Sequence, residues 1–313
     1  MDPVPAPFHA DLARGPEGAT AHWVWTVDGV RLRIVHWPGA GRGTVLIFPG
    51  RTEPAEKYGP TAVAMMAGGF ACLVIDWRGQ GLSDRALADP MVGHVGDFAE
   101  YQRDVDAMLA LAETLGAAGP FCILSHSMGG AIALRAMIRL PGQFRAAVFS
   151  APMWGIRLSP AMRPVARIVS TLARWVGQSH RYAPTTGGTS YLVVTPFEGN
   201  VLTRDPEIYA WMRDQMVEAP ALQLGGPSLG WLRAAMEECA ALAVLPSPNL
   251  PVICALGTVE TVVDPVPVHA RMAQWGMGQL DLYPGAAHEV PMEVPAVRRR
   301  FHQRAVTLFQ GAR

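Results

Sequence analysis

The sequence has no excess of charge of either sign, and this excludes several classes of protein. Its 313 residues contain 26 basic and 26 acidic side chains, so the formal net charge is zero. Proteins that bind nucleic acids carry clustered positive charge, and a neutral chain offers no such surface. We therefore expect no nucleic-acid partner. Lysine is almost absent, since Lys57 is the only one among the basic residues.

Cysteine is also scarce. The four cysteines lie far apart, at a spacing that fits neither a disulfide framework nor a metal site, so we expect free and buried thiols. No pair of histidines stands at the spacing of zinc ligands, which excludes a zinc hydrolase. We expect no metal and no cofactor.

Long apolar runs are missing as well. None approaches the roughly 18 residues that a membrane-spanning helix needs. The first residues lack the basic start and apolar core of a signal peptide. We therefore expect a cytoplasmic protein that could still touch the inner membrane face, while the oligomeric state is not readable from the sequence.

What the sequence does contain is a regular alternation of short apolar runs and longer amphipathic stretches. This pattern is typical of an α/β fold with a mostly parallel sheet and helices on both faces. We predict an eight-stranded sheet, with its strands at 23–27, 30–35, 44–48, 71–75, 121–124, 146–149, 252–256 and 280–283. The predicted helices between and after them lie at 55–66, 98–115, 128–139, 267–275 and 295–309.

The alternation stops in the middle of the chain. Helical patterns at 161–176, 206–216 and 228–242 are separated there by turns rich in glycine and proline. We predict a core domain of residues 1–151 and 245–313, and a helical lid of residues 152–244 inserted after the sixth strand. Such a lid would lie over the carboxyl ends of the strands, where open α/β sheets bind their ligands.

Ser127 carries the sharpest local signal. It lies in the run Ser125-His-Ser-Met-Gly-Gly130, which a buried strand enters and an alanine-rich helical pattern leaves. This context is typical of a nucleophile elbow, whose usual pattern is Gly-x-Ser-x-Gly; here the first glycine is Ser125. The alternative is a helix-capping turn without chemistry.

A nucleophilic serine needs a base, and the base needs an orienting carboxylate. In folds of this kind the order along the chain is serine, acid, histidine. His288 lies in the right order, in a glycine-containing loop directly after the last predicted strand. The acid should follow the preceding strand, where Glu260 and Asp264 are the candidates. We favour Glu260, because Asp264 precedes a proline and fits a helix cap.

Two backbone N–H groups should stabilise the oxyanion of acyl transfer. One belongs to Met128, the residue after the serine. The other should come from the loop after the third strand, at Arg51, where Gly50 allows a close approach to a ligand. Whether the Arg51 side chain pairs with Glu53 on the surface is not decided by the sequence.

With these residues in place, the chain resembles α/β-hydrolases of the monoacylglycerol lipase and bacterial lysophospholipase type. The lid segments match the lysophospholipase branch more closely, and Pro49-Gly50 stands where the mammalian lipases have His-Gly. The resemblance implies the same nucleophile, base and oxyanion donors, and it favours Glu260 because that branch carries glutamate there. Matching segments lie at 49–53, 57–58, 76–83, 87–90, 93–95, 125–130, 151–153, 200–203 and 225–227.

The leading hypothesis is a serine hydrolase that cleaves a carboxylic ester of a single-chain lipid, a lysophospholipid or a monoacylglycerol, through an acyl-enzyme. One alternative is a general carboxylesterase or thioesterase acting on small acyl substrates. The other is a catalytically silent binding module, although such a protein would be expected to have lost its serine or histidine.

The lid supports an acyl substrate. Apolar residues recur there at near-helical spacing with arginines between them: Met162, Val165, Ile168, Val169, Leu172 and Trp175, with Arg163, Arg167 and Arg174. Such a stripe can pack on the core, line an acyl tunnel or lie on a membrane surface. Trp154 and Trp231 are candidates for substrate binding.

Overall fold

The computed structural model describes residues 3–117, 119, 121–159 and 161–312. Nine strands form one sheet, in the order β1-β2-β3-β5-β4-β6-β7-β8-β9. The strands are β1 (Val4–Pro5), β2 (Thr20–Trp25), β3 (Arg31–Trp37), β4 (Thr44–Phe48), β5 (Ala71–Asp76), β6 (Phe121–His126), β7 (Phe144–Ser150), β8 (Val252–Gly257) and β9 (Gly278–Tyr283).

The sheet has one strand more than the eight predicted. The additional strand is β1, which pairs antiparallel with β2 through Val4 opposite Trp23 and Pro5 opposite His22. A two-residue strand that contains a proline is too short to show an alternating pattern, so the sequence carries no signal for it. The helical insertion consequently follows β7, the seventh strand, because the count is shifted by one.

The strands β5, β4, β6, β7, β8 and β9 are parallel, whereas β1, β2 and β3 join them through antiparallel pairs. Parallel neighbours require crossover connections, which place helices on both faces of the sheet. The carboxyl ends of β4, β6, β8 and β9 therefore lie along one edge. The loops that follow these four strands carry the predicted site residues Arg51, Ser127, Glu260 and His288, in that order.

Ten α-helices fall within the described residues, and three short 3-10 helices accompany them. The α-helices are α1 (Ala10–Ala13), α2 (Gly59–Ala67), α3 (Ala99–Thr114), α4 (Met128–Arg139), α5 (Met162–Trp175), α6 (Tyr191–Val194), α7 (Pro206–Glu218), α8 (Leu229–Val244), α9 (Pro265–Met272) and α10 (Pro295–Gly311). The 3-10 helices span Ala55–Tyr58, Pro220–Leu222 and Val290–Met292.

The hydrophobic core lies on both faces of the sheet, because alternate side chains of the buried strands point to opposite sides. On β4, Leu46 and Phe48 join the layer formed with α3, α4, α8 and α9. Val45 and Ile47 join the layer formed with α2 and α10. All four cysteines are buried and free, as predicted.

An ion network is buried beneath the loop that follows β4. Arg33 donates to Asp76 at 2.7 Å and to Glu56 at 2.6 Å, and all three side chains are fully buried. Asp76 also accepts the backbone N–H of Ala55 at 2.8 Å. Pairing of this kind offsets much of the cost of removing the charges from water. The network fixes the start of the 3-10 helix Ala55–Tyr58, and thereby the end of the preceding loop.

Between β7 and β8 the chain forms α5 to α8. The last of these helices joins the core next to α4, whereas α5 packs on α8 through its small buried residues Ser170 and Ala173. The predicted apolar stripe on α5 does not pack on the core: Ile168 is 59% exposed and Trp175 is 77% exposed. Within the described residues, no helix combines the length and hydrophobicity needed to cross a bilayer.

Candidate active site

Ser127 lies at the sharp turn between β6 and α4. Its backbone has φ 50° and ψ −118°, a conformation that side-chain-bearing residues rarely adopt. The Ser127 N–H donates to the carbonyl of Ser150 at 3.0 Å, and its own carbonyl accepts the N–H groups of Gly130 and Met153, each at 2.8 Å. The strained turn is held from both sides, as expected where a reactive side chain must be presented.

Two glycines allow this turn to form. A Cβ atom on Gly129 would lie 2.1 Å from the carbonyl oxygen of Phe48, and one on Gly130 would lie 2.5 Å from the Cβ of Pro152. On the strand side the usual glycine is replaced by Ser125, whose hydroxyl is buried and donates to the carbonyl of Val148 at 3.4 Å. A serine is therefore accommodated there, whereas the second and third positions after Ser127 admit only glycine.

His288 and Glu260 form a buried pair in the loops after β9 and β8. The distance between His288 Nδ1 and Glu260 Oε2 is 2.7 Å. The other carboxylate oxygen accepts the N–H groups of Val262 at 2.5 Å and Val263 at 3.1 Å. Burial by itself would raise the pKa of Glu260, but these hydrogen bonds and the histidine outweigh it and lower the pKa. The carboxylate is therefore ionised at neutral pH and holds the imidazole in one orientation.

Asp264, the alternative acid, has a different role. Its side chain caps α9 by accepting the N–H of Val266 at 3.1 Å, and it pairs with Arg163 at 2.5 Å. Of the two candidates, the structure brings Glu260 and not Asp264 against His288.

The loop after β4 presents Arg51 beside the turn that carries Ser127. Ser127, Arg51 and Met128 all line one cavity. Within the described part of the chain, the backbone N–H groups of Arg51 and Met128 donate to no other residue. Thr52 has a φ of 69°, so the loop is strained next to the first of these donors. Two free N–H groups beside a serine are what an oxyanion requires.

Lys57, the single lysine of the chain, is buried behind this loop. Its ammonium group lies 2.7 Å from Glu53 and 2.5 Å from Glu289. Burial would lower the pKa of Lys57, but the two carboxylates outweigh it and raise the pKa, so the ammonium group stays charged. Glu53 in turn accepts the N–H of Gly50 at 2.6 Å and the hydroxyl of Tyr58 at 2.5 Å.

These buried charges were not identified as functional by sequence reasoning. The pairing of Arg51 with Glu53, which the sequence left open, does not occur, because Glu53 pairs with Lys57. One signal was available: Lys57 is unique and stands only four residues after Glu53, which places a cation and a carboxylate in the same short segment. Nothing in the local sequence pointed to Glu289.

Three of the residues in this region offer metal-ligand atoms close together. Suitable atoms of Glu53, His126 and Glu289 lie within 4.8 Å of one another. The ammonium group of Lys57 contacts both carboxylates, however, and so already supplies a cation to them. Burial lowers the pKa of His126 to about 3, which keeps its ring neutral. The donor set is therefore occupied by an internal ion pair.

The loop that carries His288 is fastened on both sides. A Cβ on Gly257 would lie 2.3 Å from the carbonyl oxygens of Ala286 and Ala287, so only glycine lets this loop approach β8. On the other side, the N–H of His288 donates to Val201 at 3.4 Å, and that of Glu289 donates to Leu202 at 2.8 Å. The helical segment between β7 and β8 thus takes part in holding the histidine.

Ser127, His288, Arg51 and Met128 face a cavity of about 590 Å³. Trp231 lines it, whereas Trp154 packs in the core with its ring 5.0 Å from that of Phe149 and its Nε1 on the carbonyl of Gly130. The wall is largely apolar. Its apolar members include Met153, Leu192, Met212, Met216, Val262 and Val263.

The arrangement defines the class of the protein. A serine on a strained strand-to-helix turn, a histidine paired with a carboxylate, and two free N–H groups meet at the carboxyl edge of a mostly parallel sheet. These are the parts that nucleophilic acyl transfer requires. The chain is an α/β-hydrolase.

Comparison with known proteins gives the family. Residues 39–295 match the family described as serine aminopeptidase, S33, and the chain belongs to that family. It is 32% identical over 292 residues to lysophospholipase L2 of Escherichia coli strain K12, with 87% of this chain and 82% of that protein covered. It is 28% identical to a monoacylglycerol lipase of Mycolicibacterium smegmatis, with 84% and 88% covered. The resemblance seen in the sequence is confirmed.

A solved structure supports the fold. A soluble variant of the monoglyceride lipase of Saccharomyces cerevisiae, in complex with a substrate analog, aligns with a TM-score of 0.70 at 21% identity, covering 91% of this chain and 93% of that one. At this identity the likeness bears on the fold alone.

The pairing of Glu260 with His288 leads to a first prediction. Substitution Glu260→Gln should slow labelling of Ser127 by a fluorophosphonate probe by about 10²- to 10⁴-fold, because the base loses the charge that orients it. The matched variant Asp264→Asn should slow labelling by less than about threefold, because it removes only a cap and a partly exposed ion pair. Mass spectrometry of the adduct measures both rates. Equal losses in the two variants would contradict the assignment of the acid.

The buried lysine leads to a second prediction. In Lys57→Met, two neighbouring carboxylates are left without a cation, so their folded-state pKa values should rise above the unfolded values. The folded state then binds protons that the unfolded state releases, and stability falls as the pH rises. We expect a loss of about 3–5 kcal/mol near neutral pH and a smaller loss near pH 5, measured by urea unfolding. In Lys57→Met/Glu289→Gln the pH dependence should shrink. A loss of stability that does not depend on pH would indicate that Lys57 contributes through packing alone.

Proposed function

We propose that this protein is a serine hydrolase that cleaves the carboxylic ester of a single-chain lipid, a lysophospholipid or a monoacylglycerol. The observation that carries the proposal is the meeting of Ser127, the His288–Glu260 pair and two free N–H groups at one mainly apolar cavity. The names of the relatives, lysophospholipase L2 and monoacylglycerol lipase, support the same substrate class.

The chemistry follows from the roles of the residues. Ser127 Oγ attacks the acyl carbonyl while His288 accepts its proton, and the oxyanion receives the N–H groups of Arg51 and Met128. Collapse of this intermediate breaks the bond between the acyl carbon and the glycerol oxygen, and His288 returns the proton to that oxygen. A water molecule then attacks the acyl-enzyme while His288 takes its proton. The bond between the acyl carbon and Ser127 Oγ breaks, His288 returns the proton to Oγ, and the fatty acid is released.

The size and lining of the cavity fit one acyl chain. A volume of about 590 Å³ lies within the range of pockets that enclose drug-sized ligands. The methionines in the wall, Met153, Met212 and Met216, are flexible and apolar, so they can adapt to chains of different length. Trp231 lines the same cavity and is therefore the tryptophan that we assign to substrate binding, whereas Trp154 is a core residue.

We further propose that residues 152–244 form a cap over the cavity, which lies on the core of residues 1–151 and 245–313. Thr186, Leu192 and Met212 from this segment line the cavity together with Ser127 from the core. The cap thus supplies much of the wall that faces the acyl chain.

The cap also offers a surface for a membrane. The face of α5 exposes Met162, Ile168 and Trp175, and arginines flank the stripe. Apolar side chains between basic residues favour binding to an anionic lipid surface. We propose that α5 lies on the membrane that contains the substrate.

The experiment that tests the substrate class is fatty-acid release from 1-oleoyl lysophosphatidylcholine and from monoolein, side by side. At least one of the two lipids should be hydrolysed. In Ser127→Ala the rate of fatty-acid release should fall more than about 10³-fold, because the acyl-enzyme cannot form. Cleavage of p-nitrophenyl butyrate alone would instead identify a carboxylesterase of small substrates. If neither lipid is cleaved while the fluorophosphonate still labels Ser127, the substrate class is wrong.

The membrane surface yields a further prediction. Substituting Ile168→Glu and Trp175→Glu together should weaken binding to phosphatidylglycerol vesicles by about tenfold or more, because apolar area no longer enters the interface. Co-sedimentation measures the bound fraction. Val27→Glu is the matched control, since Val27 is 92% exposed on the turn between β2 and β3. Equal binding of both variants would exclude α5 as the docking surface.

A further inference from the structure

The Arg51 side chain is a partly buried cation without a counter-ion. Among the described residues, the more deeply buried Arg33 and Lys57 contact carboxylates: Arg33 contacts Glu56 and Asp76, and Lys57 contacts Glu53 and Glu289. In the same part of the chain, Arg85 and Arg271 are partly buried and form no ion pair either, but each donates to at least three protein oxygens. Within residues 3–117, 119, 121–159 and 161–312, Arg51 makes no ion pair. Its Nη2 donates to the carbonyl of Gly225 at 2.5 Å, and its Nε is buried with no hydrogen-bond partner in the same residues.

The guanidinium group occupies a slot built for it. On one side, a Cβ on Gly93 would lie 2.4 Å from Nη2. On another, the ring of Trp231 lies 5.5 Å from the guanidinium carbon, a favourable cation–π distance. The slot is rigid, because the N–H of Gly93 donates to Gly226 at 3.0 Å and that of Gly225 donates to Met91 at 2.9 Å. The charged group is therefore held in place, in the wall of the cavity that contains Ser127.

The position of the Arg51 guanidinium favours the binding of an anion. Burial lowers the pKa of Arg51 to about 10, while neighbouring Tyr101 and Tyr182 act in the opposite direction. The group is still charged at neutral pH, and its unfavourable desolvation is not offset by a carboxylate. Most of the donors of its planar fork are unused, and that fork matches the oxygens of a phosphate.

The surroundings of Arg51 are polar, unlike the rest of the wall. Thr186, Gly187 and Ser190 line the cavity together with Gly225 and Gly226. The N–H of Gly226 donates to Gly187 at 2.7 Å, so the two segments lie side by side next to the guanidinium. The cavity thus has a polar region beside Arg51 and an apolar region formed by its methionines and valines.

We propose that the Arg51 guanidinium binds the phosphate of a lysophospholipid head group and so selects phosphorylated glycerol esters over neutral ones. This rests on the proposed function, since the ester must lie at Ser127. The backbone N–H of Arg51 then donates to the carbonyl oxygen of the ester, while its side chain binds the phosphate. The glycerol unit, which joins these two groups of the substrate, lies along the same residue. A monoacylglycerol offers only a hydroxyl at that place.

The test compares three substrates with the same oleoyl chain: lysophosphatidylcholine, lysophosphatidic acid and monoolein, each in mixed micelles with a neutral detergent. In Arg51→Met the ratio of kcat/KM for the phosphate-containing substrates to that for monoolein should fall about 10- to 100-fold, mainly through KM. Arg139→Met is the matched control, since Arg139 forms a surface pair with Asp106, and its ratio should match that of the wild type.

A second arm distinguishes a head group from free phosphate. Glycerophosphocholine and inorganic phosphate are tested as inhibitors of p-nitrophenyl butyrate hydrolysis. Inhibition by glycerophosphocholine that is lost in Arg51→Met supports the head-group site. Inhibition by inorganic phosphate alone overturns it in favour of a simple anion site.

The remaining outcomes separate this proposal from the proposed function. An equal loss on all three substrates in Arg51→Met makes Arg51 a clamp between core and cap, and overturns the head-group role alone. If the wild type hydrolyses monoolein but no lysophospholipid, the head-group role is again overturned while the proposed function stands. A wild type that hydrolyses none of the three, while Ser127 is still labelled by the fluorophosphonate, overturns the proposed function itself.

Discussion

The ammonium group of Lys57 joins the two loops on which the proposed chemistry depends. Through Glu53 it holds the backbone of Gly50, and so the loop that presents the Arg51 N–H. Through Glu289 it holds the residue next to His288. The loop after β4 and the loop after β9 are distant in sequence and come from separate strands. This one buried cation therefore fixes the proposed oxyanion donor and the proposed base relative to each other.

The nucleophile depends on a different constraint, which is steric. Ser127 keeps a strained backbone because the first turn of α4 lies directly against two other segments. Gly129 allows its approach to the end of β4, and Gly130 allows its approach to Pro152, which follows β7. The strain at Ser127 is offset by the packing of α4 in the core. The electrostatic and the steric constraint meet in the loop after β4, which contacts both the elbow and Lys57.

Much of the fold could be predicted because its signals are local. Buried strands read as apolar runs, and the elbow of Ser127 combines a small-residue pattern with a strand and a helix on either side. The order along the chain placed His288 and two candidate acids, Glu260 and Asp264, in neighbouring loops, and the structure pairs His288 with Glu260.

The rest could not be predicted, for physical reasons that differ from residue to residue. Two-residue β1 is defined only by its pairing with β2. The burial of Lys57 and the lack of a carboxylate beside Arg51 result from contacts between distant segments, which leave no periodic pattern. The stripe on α5 was visible, but periodicity shows that a face is apolar without showing what covers it. Trp154 was a reasonable candidate for the cavity because aromatic residues line both pockets and cores.

The contacts of the cap determine how it can move. Its segment 200–203 is hydrogen-bonded to the loop of His288, and Trp211 on α7 donates to the carbonyl of Leu12 at 2.8 Å, so this half is tied to the core. Helix α5 packs on α8, and its Arg163 pairs with Asp264 at the start of α9. Lifting the whole segment 152–244 would therefore break the hydrogen bonds that hold the loop of His288, whereas a movement of α5 alone would leave them in place.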